Sequence, residues 1–174
     1  ISNMAGTTGG AVVVVGDDPG SGSTQVPADS RFLARHVYAP VVEPSTFQEM
    51  KDWLCAAFEI SVKSNLYMTY LVTVNQADGG GDVQLRPNHY PEINAKNKLT
   101  LDTELIDGSN RVVLPPDSAR IALETLKERF PNAIKAAREL NLNRICHANE
   151  SLHEIGFVTS GQSYTYLEHA LHEL

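Results

Sequence analysis

Cysteine is scarce: Cys55 and Cys146 are the only two in 174 residues. Two thiols build neither a disulfide framework nor, by themselves, a metal cage. Each has an apolar neighbour, Leu54 or Ile145, and reads as an ordinary reduced thiol. No stretch approaches the roughly 20 apolar residues of a membrane-spanning helix, so no membrane partner is expected. Positive charge is in deficit, with 14 Lys and Arg against 21 Asp and Glu for a net charge of −7. That balance sets aside a nucleic-acid backbone as partner. Several catalytic motifs are missing too. Gly20-Ser21-Gly22-Ser23 and Thr159-Ser160-Gly161 both miss the G-x-S-x-G elbow of serine hydrolases. Gly20 and Gly22 lack the third glycine of a dinucleotide fingerprint, and no phosphate-binding P-loop occurs. His147, His153, His169 and His172 resemble metal ligands in number only. No H-E-x-x-H is present, and His169 and His172 fall on the outer side of an amphipathic helix, so no metal site is expected. No charged-apolar-small leader opens the chain, and a cytoplasmic location is expected. The sequon Asn149-Glu150-Ser151 then carries no meaning.

What is present is enough apolar residue, 42%, for a core, and an alternation of strand and helix patterns. The chain is organised around residues 9–31, GGAVVVVGDDPGSGSTQVPADSR. Residues 11–15 are small or branched apolar residues without a polar one among them, the pattern of a central strand buried on both faces. The run stops in Gly16-Asp17-Asp18-Pro19-Gly20, an acidic turn expected to lie exposed. Ligands of open α/β sheets gather at the carboxyl ends of strands, so this loop is the first candidate for a site.

Residues 1–10 read as a loop. Residues 28–37 predict a short helix with Phe32, Leu33 and His36 on one face, and residues 39–42 a brief strand. Ser45 and Thr46 each have Gln48 or Glu49 three residues on, the capping-box arrangement. The helix they open carries Phe47, Met50, Leu54, Phe58 and Ser61 as an apolar stripe, with Trp53 as core, to about Lys63. Residues 66–74 form a second strong strand, followed by Asn75-Gln76-Ala77-Asp78 and three glycines as a loop. Strand, helix, strand, helix, strand implies parallel pairing with right-handed crossovers. The fold class is therefore α/β, a parallel sheet with flanking helices. Residues 82–110 weaken into an excursion, and 111–114 hint at a returning strand. A helix from Asp117 or Ser118 turns Ile121, Leu126 and Phe130 inward and is broken at Pro131, with a second piece over 132–140. Residues 155–159 read as a strand before a helix bearing Tyr164, Leu167, Leu171 and Leu174. The chain starts Ile1-Ser2-Asn3-Met4 and stops within that helix, so a piece of a longer protein is expected.

One resemblance covers nearly the whole chain. GG-x-VVVV-x-DDPG, then Ser23-Thr24-Gln25 and Asp29-Ser30-Arg31, resembles the pyrimidine-binding domain of the indolepyruvate ferredoxin oxidoreductase alpha-subunit family. That family belongs to the thiamine-diphosphate-dependent 2-oxoacid:ferredoxin oxidoreductases. Pro40-Val41-Val42-Glu43-Pro44-Ser45 resembles the family's step into a helix. Asn143-Arg144 and IGFVTSGQSYTY (residues 155–166) are similar to the opening of the transketolase C-terminal-like domain that follows. The resemblance implies a partial pyrimidine-binding domain over 1–114, a helical linker over 115–152 and the first β–α unit of the next domain over 153–174.

It further implies oxidative decarboxylation of a 2-oxoacid, aryl pyruvate-like, on thiamine diphosphate, with electrons passing through iron–sulfur clusters to ferredoxin. The cofactor would supply the carbanion chemistry and the protein its orientation. Asp17, Asp18 and Gly20 would shape the loop near the cofactor ring and substrate. Ser23, Gln25, Asp29 and Arg31 would fix that loop or contact a neighbouring subunit. The family's catalytic glutamate lies upstream of this segment, so no catalytic residue is assigned. Diphosphate and Mg²⁺ would be held by another domain and the clusters would lie elsewhere, leaving the segment alone inactive. Partners implied are the remaining domains of the parent chain, a second oxidoreductase subunit and ferredoxin, in an oligomer. The chain departs from the family at Gly22, at Val26-Pro27-Ala28, and at Asn75 to Gly81, where the family has an arginine-containing run. An arginine there could grip a substrate carboxylate, so the departure points to a different or lost substrate. The alternatives are a non-catalytic scaffold of the same fold or a thiamine-dependent 2-oxoacid decarboxylase.

Overall fold

The computed structural model describes residues 2–7, 9–20, 24–87, 113–146 and 155–173. Three strands build its parallel sheet: β1 (Val12–Asp17), β2 (Val41–Val42) and β3 (Met68–Thr73). Their order is β1-β3-β2, with Val12 opposite Met68, Asp17 opposite Thr73 and Val42 opposite Tyr70. The parallel α/β expectation is met. Its centre, however, is β3 and not β1. Met68, Thr69, Tyr70 and Leu71 are all buried, whereas Val13 and Val14 of β1 are 52% and 62% exposed. An apolar run signals a strand but not which strand flanks it, and here β1 has a described neighbour on one side only.

Ahead of β1, α1 (Ser2–Ala5) is a single helical turn where a loop is expected. Between β1 and β2, α2 (Arg31–His36) is shorter than expected and turns Ala34 inward; Phe32 and Leu33 face out. The capped helix is α3 (Phe47–Ser64), with Thr46 Oγ1 accepting from the Glu49 N–H at 3.2 Å. Its buried face is Glu49, Ala57, Ile60, Ser61 and Ser64, while Phe58 of the expected stripe is exposed. Ser61 takes the inward position because its hydroxyl has work there. It accepts from the Ala11 N–H at 2.9 Å and sits 2.5 Å from the Leu66 carbonyl, fastening the start of β1 to α3.

After β3 the chain enters α4 (Val74–Asp78), a short helix in place of the expected loop. Residues 82–87 have no regular structure; the expected excursion beyond them and residues 111 and 112 of the expected strand lie outside the described residues, while Val113 and Leu114 are not in a strand. Asp117 then opens α5 (Asp117–Glu124), which runs through a π turn (Thr125–Arg129) into α6 (Phe130–Glu139). Pro131 does not break this rod. A proline ring collides with the carbonyl four residues back in an α-helix, here Lys127, and the π turn around Lys127 winds wider: the Phe130 N–H reaches the Thr125 carbonyl. The inward face is Ile121, Thr125, Arg129, Ala133 and Ala136, and the expected Leu126 is exposed.

The core joins Val42, Ala57, Ile60, Leu66, Met68 and Tyr70 to Ala133 and Ala136, with Trp53 and Leu54 packed against it. Alanines at the α3–α6 seam let the two helices approach closely. Residues 155–160 are exposed and pair with no described strand, contrary to the strand expected there. They lead to α7 (Gln162–His172), none of whose side chains is fully buried. The 143–146 segment is held at two points, by Arg144 on Glu49 and by Cys146 beside the Tyr164 hydroxyl.

Candidate functional site

The carboxyl ends of β1 and β3, the end of β2 and the start of α7 meet at one crest of the sheet. Asp17 and Asp18, expected in the open, are buried there. Asp17 accepts from the Ser30 N–H and hydroxyl, both at 2.6 Å. One Asp18 oxygen accepts from the Thr24 N–H at 3.0 Å, and its carbonyl from the Ala28 N–H at 3.2 Å. Two carboxylates that each take backbone donors hold the acidic turn against the entrance to α2. Buried acids of this kind are tolerable because their lone pairs are matched.

From α2, Arg31 reaches back to Glu43, just beyond β2, in a bidentate pair with Nε–Oε1 at 2.7 Å and Nη2–Oε2 at 3.0 Å. The hydrogen bond to Glu43 raises the guanidinium pKa further, and the Asp29 carboxylate, 3.1 Å away, adds to it. Ser160 donates to the same Glu43 at 3.1 Å, and Gly161, at φ +54°, lies against Glu43 where a Cβ would come within 3.2 Å of its carboxylate. From the end of β3, Thr73 opens α4 with a capping box. Its backbone N–H donates to Gln76 Oε1 at 3.0 Å. The Thr73 hydroxyl reaches Gln162 Oε1 at 2.7 Å. Buried Gln76 donates to the Pro44 carbonyl at 2.6 Å, and Asn75 donates to the Tyr166 hydroxyl at 2.9 Å.

These groups enclose a cavity of about 290 Å³. Of the residues proposed from sequence, Asp18, Gly20 and Arg31 line it. Asp17 lies behind the wall, Asp29 backs Arg31, and Gln25 is exposed away from the cavity. Ser23 lies outside the described residues. Sequence reasoning missed Glu43, Thr73, Asn75, Gln76, Gln162 and Tyr166 as lining. For Thr73 and Gln76 a signal existed, since T-x-x-Q is itself a capping-box pattern. The lining guanidinium is matched by Glu43, so the polar wall is chiefly amide and hydroxyl. Asn75 and Gln162 each retain donor and acceptor capacity beyond the bonds they make. Such a wall suits a flat, uncharged, hydrogen-bonding group better than an anion.

Over 172 residues the chain is 31% identical to the indolepyruvate oxidoreductase subunit IorA of Archaeoglobus fulgidus, covering 97% of this chain and 26% of that protein. With the IorA of Pyrococcus abyssi it is 31% identical over 166 residues, 95% of this chain and 25% of the other. A stretch of 80 residues reaches 42% identity with the IorA of Pyrococcus horikoshii, 46% of this chain and 12% of that one. Along nearly its whole length the chain is similar to an internal segment of the IorA proteins. It spans about a quarter of the length of the IorA proteins it matches. No protein-family model matches the sequence, and no solved structure matches it. Set on the fold, the cavity lining comes from residues 18–31, 43–44 and 160–166, within or at the end of the blocks that carry the resemblance, and from residues 71–76, which lie outside them.

Proposed function

We propose that this chain supplies the ring-binding side of a thiamine diphosphate site in a 2-oxoacid:ferredoxin oxidoreductase acting on an aryl pyruvate-like oxoacid. The observation that carries the reading is the amide- and hydroxyl-lined cavity at the carboxyl ends of parallel strands, where α/β sheets place their ligands. When bound, thiamine diphosphate supplies the carbanion chemistry that decarboxylation of an oxoacid needs. The aminopyrimidine end fits the cavity wall: Asn75 and Gln162 can exchange hydrogen bonds with ring nitrogens and an exocyclic amine, with Leu71 and Val74 as the apolar side. The diphosphate–Mg²⁺ end does not fit. Among the described residues no three His, Cys, Asp or Glu side chains converge, and the lining arginine is committed to Glu43. In this reading that end, the iron–sulfur clusters and the glutamate of the family belong to other parts of the parent protein. The divisions at 114 and 152, a cytoplasmic location, and association with a second subunit and ferredoxin belong to the same reading.

The test uses the full-length protein under anaerobic conditions. Thiamine diphosphate binding is measured by titration calorimetry, and oxoacid-dependent dye reduction with aryl and aliphatic oxoacids. Asn75→Ala is expected to weaken cofactor binding about tenfold, the size of one hydrogen bond left unmade, with the thermal midpoint held. Absence of cofactor binding, or binding indifferent to Asn75, would overturn the site. A second reading, a scaffold without turnover, is favoured by one observation: among the described residues no lining cation is left over to hold an oxoacid carboxylate. Bound cofactor with no oxoacid turnover would select it.

A further inference from the structure

The run Gly79-Gly80-Gly81 does not line the crest cavity, yet two of its three glycines are required where they stand. As the chain leaves α4, Gly79 is extended, at φ −79° and ψ −175°, a conformation open to any residue. What it lacks is room. A Cβ there would come within 2.7 Å of the Asn75 carbonyl oxygen and 3.0 Å of Phe47 Cζ. At Gly81 a Cβ would come within 2.6 Å of Phe47 Cδ2, whereas at Gly80, between them, it would meet nothing within 4 Å. Glycine admits backbone this close to a ring because it brings no side chain. The chain leaving α4 is thus laid on the Phe47 ring. It is fastened beyond that point by the Gln84 N–H, which donates to Gln48 Oε1 at 2.7 Å.

Phe47 opens α3, so its ring is carried by a capped helix of 18 residues, whereas α4 has five. A helix as short as α4 does not hold itself in water, and neighbours must hold its ends. At the amino end stand the Thr73–Gln76 capping box and the Gln76 bond to the Pro44 carbonyl. At the carboxyl end stands the Phe47 seat. Between them lies Asn75, exposed to solvent, its amide donating to the Tyr166 hydroxyl. The Asn75 carbonyl is the atom a Cβ on Gly79 would strike, so crowding at the seat is felt first at a residue that lines the cavity.

We propose, on the reading of this cavity as the ring-binding side of a thiamine diphosphate site, that Phe47 is a positioning residue for it. Phe47 does not line the cavity. Its ring, received by Gly79 and Gly81, sets α4 and with it the Asn75 amide. This gives the triglycine run a purpose in the stretch where the chain departs from the family resemblance. A plain linker has no need of two closed positions flanking an open one.

The test compares Gly79→Ala, Gly80→Ala, Gly81→Ala and Phe47→Ala in the full-length protein. Thiamine diphosphate binding is titrated, and hydrogen exchange over Val74–Asp78 is followed without the cofactor. Gly81→Ala lifts the backbone off the ring and Phe47→Ala removes the ring. Gly80→Ala makes the same change of side chain in open space. The other three should each speed exchange over Val74–Asp78 about tenfold and weaken binding about tenfold, the size of the Asn75 contact. Gly80→Ala should leave both within about twofold. Should Phe47→Ala lower the melting temperature, Gly81→Ala carries the test. Added to Asn75→Ala, Gly81→Ala should weaken binding no further, because two changes acting through one contact do not add. A merely structural loss would add. Exchange indifferent to Gly81→Ala, an equal response to Gly80→Ala, or full additivity with Asn75→Ala would each overturn the proposal. A parent protein that binds no thiamine diphosphate would overturn the cofactor reading instead, and exchange over Val74–Asp78 would still decide whether Phe47 sets α4.

Discussion

Tyr38 shows what a single backbone angle can demand. In the left-handed region a side chain with a Cβ costs roughly 1 kcal/mol over glycine, while the edge contact with Phe130 returns about 0.5–1.5 kcal/mol. Tyr38→Gly removes both terms, so stability should stay within about 1 kcal/mol of the parent. Tyr38→Ala keeps the strain and loses the ring, and its denaturation midpoint should correspond to about 1 kcal/mol less than Tyr38→Gly. Equal midpoints for the two variants would show that the left-handed angle carries no cost. Tyr70 is a residue whose proton matters instead. Its hydroxyl donates to the Met50 carbonyl at 2.6 Å, and burial, reinforced by the charge of Glu49, pushes its pKa up to about 12 from 10.0. Between those values the folded chain keeps a phenolic proton that the unfolded chain has lost. The unfolded state then binds fewer protons, and stability falls as pH rises from about 10 to about 12. Tyr70→Phe should cost about 1 kcal/mol at neutral pH and flatten that alkaline fall. Urea midpoints at pH 7, 10 and 11.5 measure both effects.

Among the elements, the α5–α6 rod is the one whose inward face depends on an irregularity. Ile121, Thr125, Arg129 and Ala133 are spaced by four, and in an uninterrupted α-helix each such step drifts about 40° around the axis. The π turn absorbs that drift and keeps Arg129 inward, where it meets the Met4 carbonyl at 2.9 Å and Glu124 at 2.8 Å. Arg129→Met leaves that carbonyl unmatched, while Glu124, partly exposed, can rehydrate. The expected cost is about 3 kcal/mol, and Arg129→Lys should recover less than half, because an ammonium has no fork to span both partners. A urea titration showing Lys equivalent to Arg would refute the forked role. The same rod explains what was legible in the sequence and what was not. β1, β3 and α3 are visible as apolar runs and a capped helix. The inward face of the rod is not, because Thr125 and Arg129 are polar: Thr125 satisfies its hydroxyl on the Ile121 carbonyl one turn back, and Arg129 reaches the Met4 carbonyl far away in the chain. In α3, Ser61 is inward as the stripe predicts, its hydroxyl bonded to the Ala11 N–H, while Phe58 of the same stripe faces out. The edge position of β1 was illegible because an apolar run does not name its neighbours.

At the scale of the molecule, the crest cavity is closed by groups from segments more than a hundred residues apart. Asp18, Gly20 and Arg31 could be found because they sit in one loop after one strand. Glu43, Asn75 and Gln162 could not, since their roles exist only once three segments are brought together. The closure is polar. No α7 side chain is fully buried, and among the described residues α7 and its approach bond to the crest through Ser160, Gln162 and Tyr166. Such a joint contributes little to global stability, because the partially exposed ion pair at its centre is screened by water, and it can open without unfolding the sheet. Glu43→Gln tests this division. The amide leaves Arg31 without its bidentate partner and offers Ser160 and Gly161 a weaker neighbour, while the contacts of β3 with β1 and β2 are untouched. Hydrogen exchange in the full-length protein should then accelerate about tenfold over Gln162–His172 and remain unchanged over Met68–Thr73, with global stability lowered by less than about 1 kcal/mol. Uniform acceleration across both segments would mean that α7 and the sheet open as one unit, and that Glu43 is a core residue of the whole fold rather than the fastening of one helix.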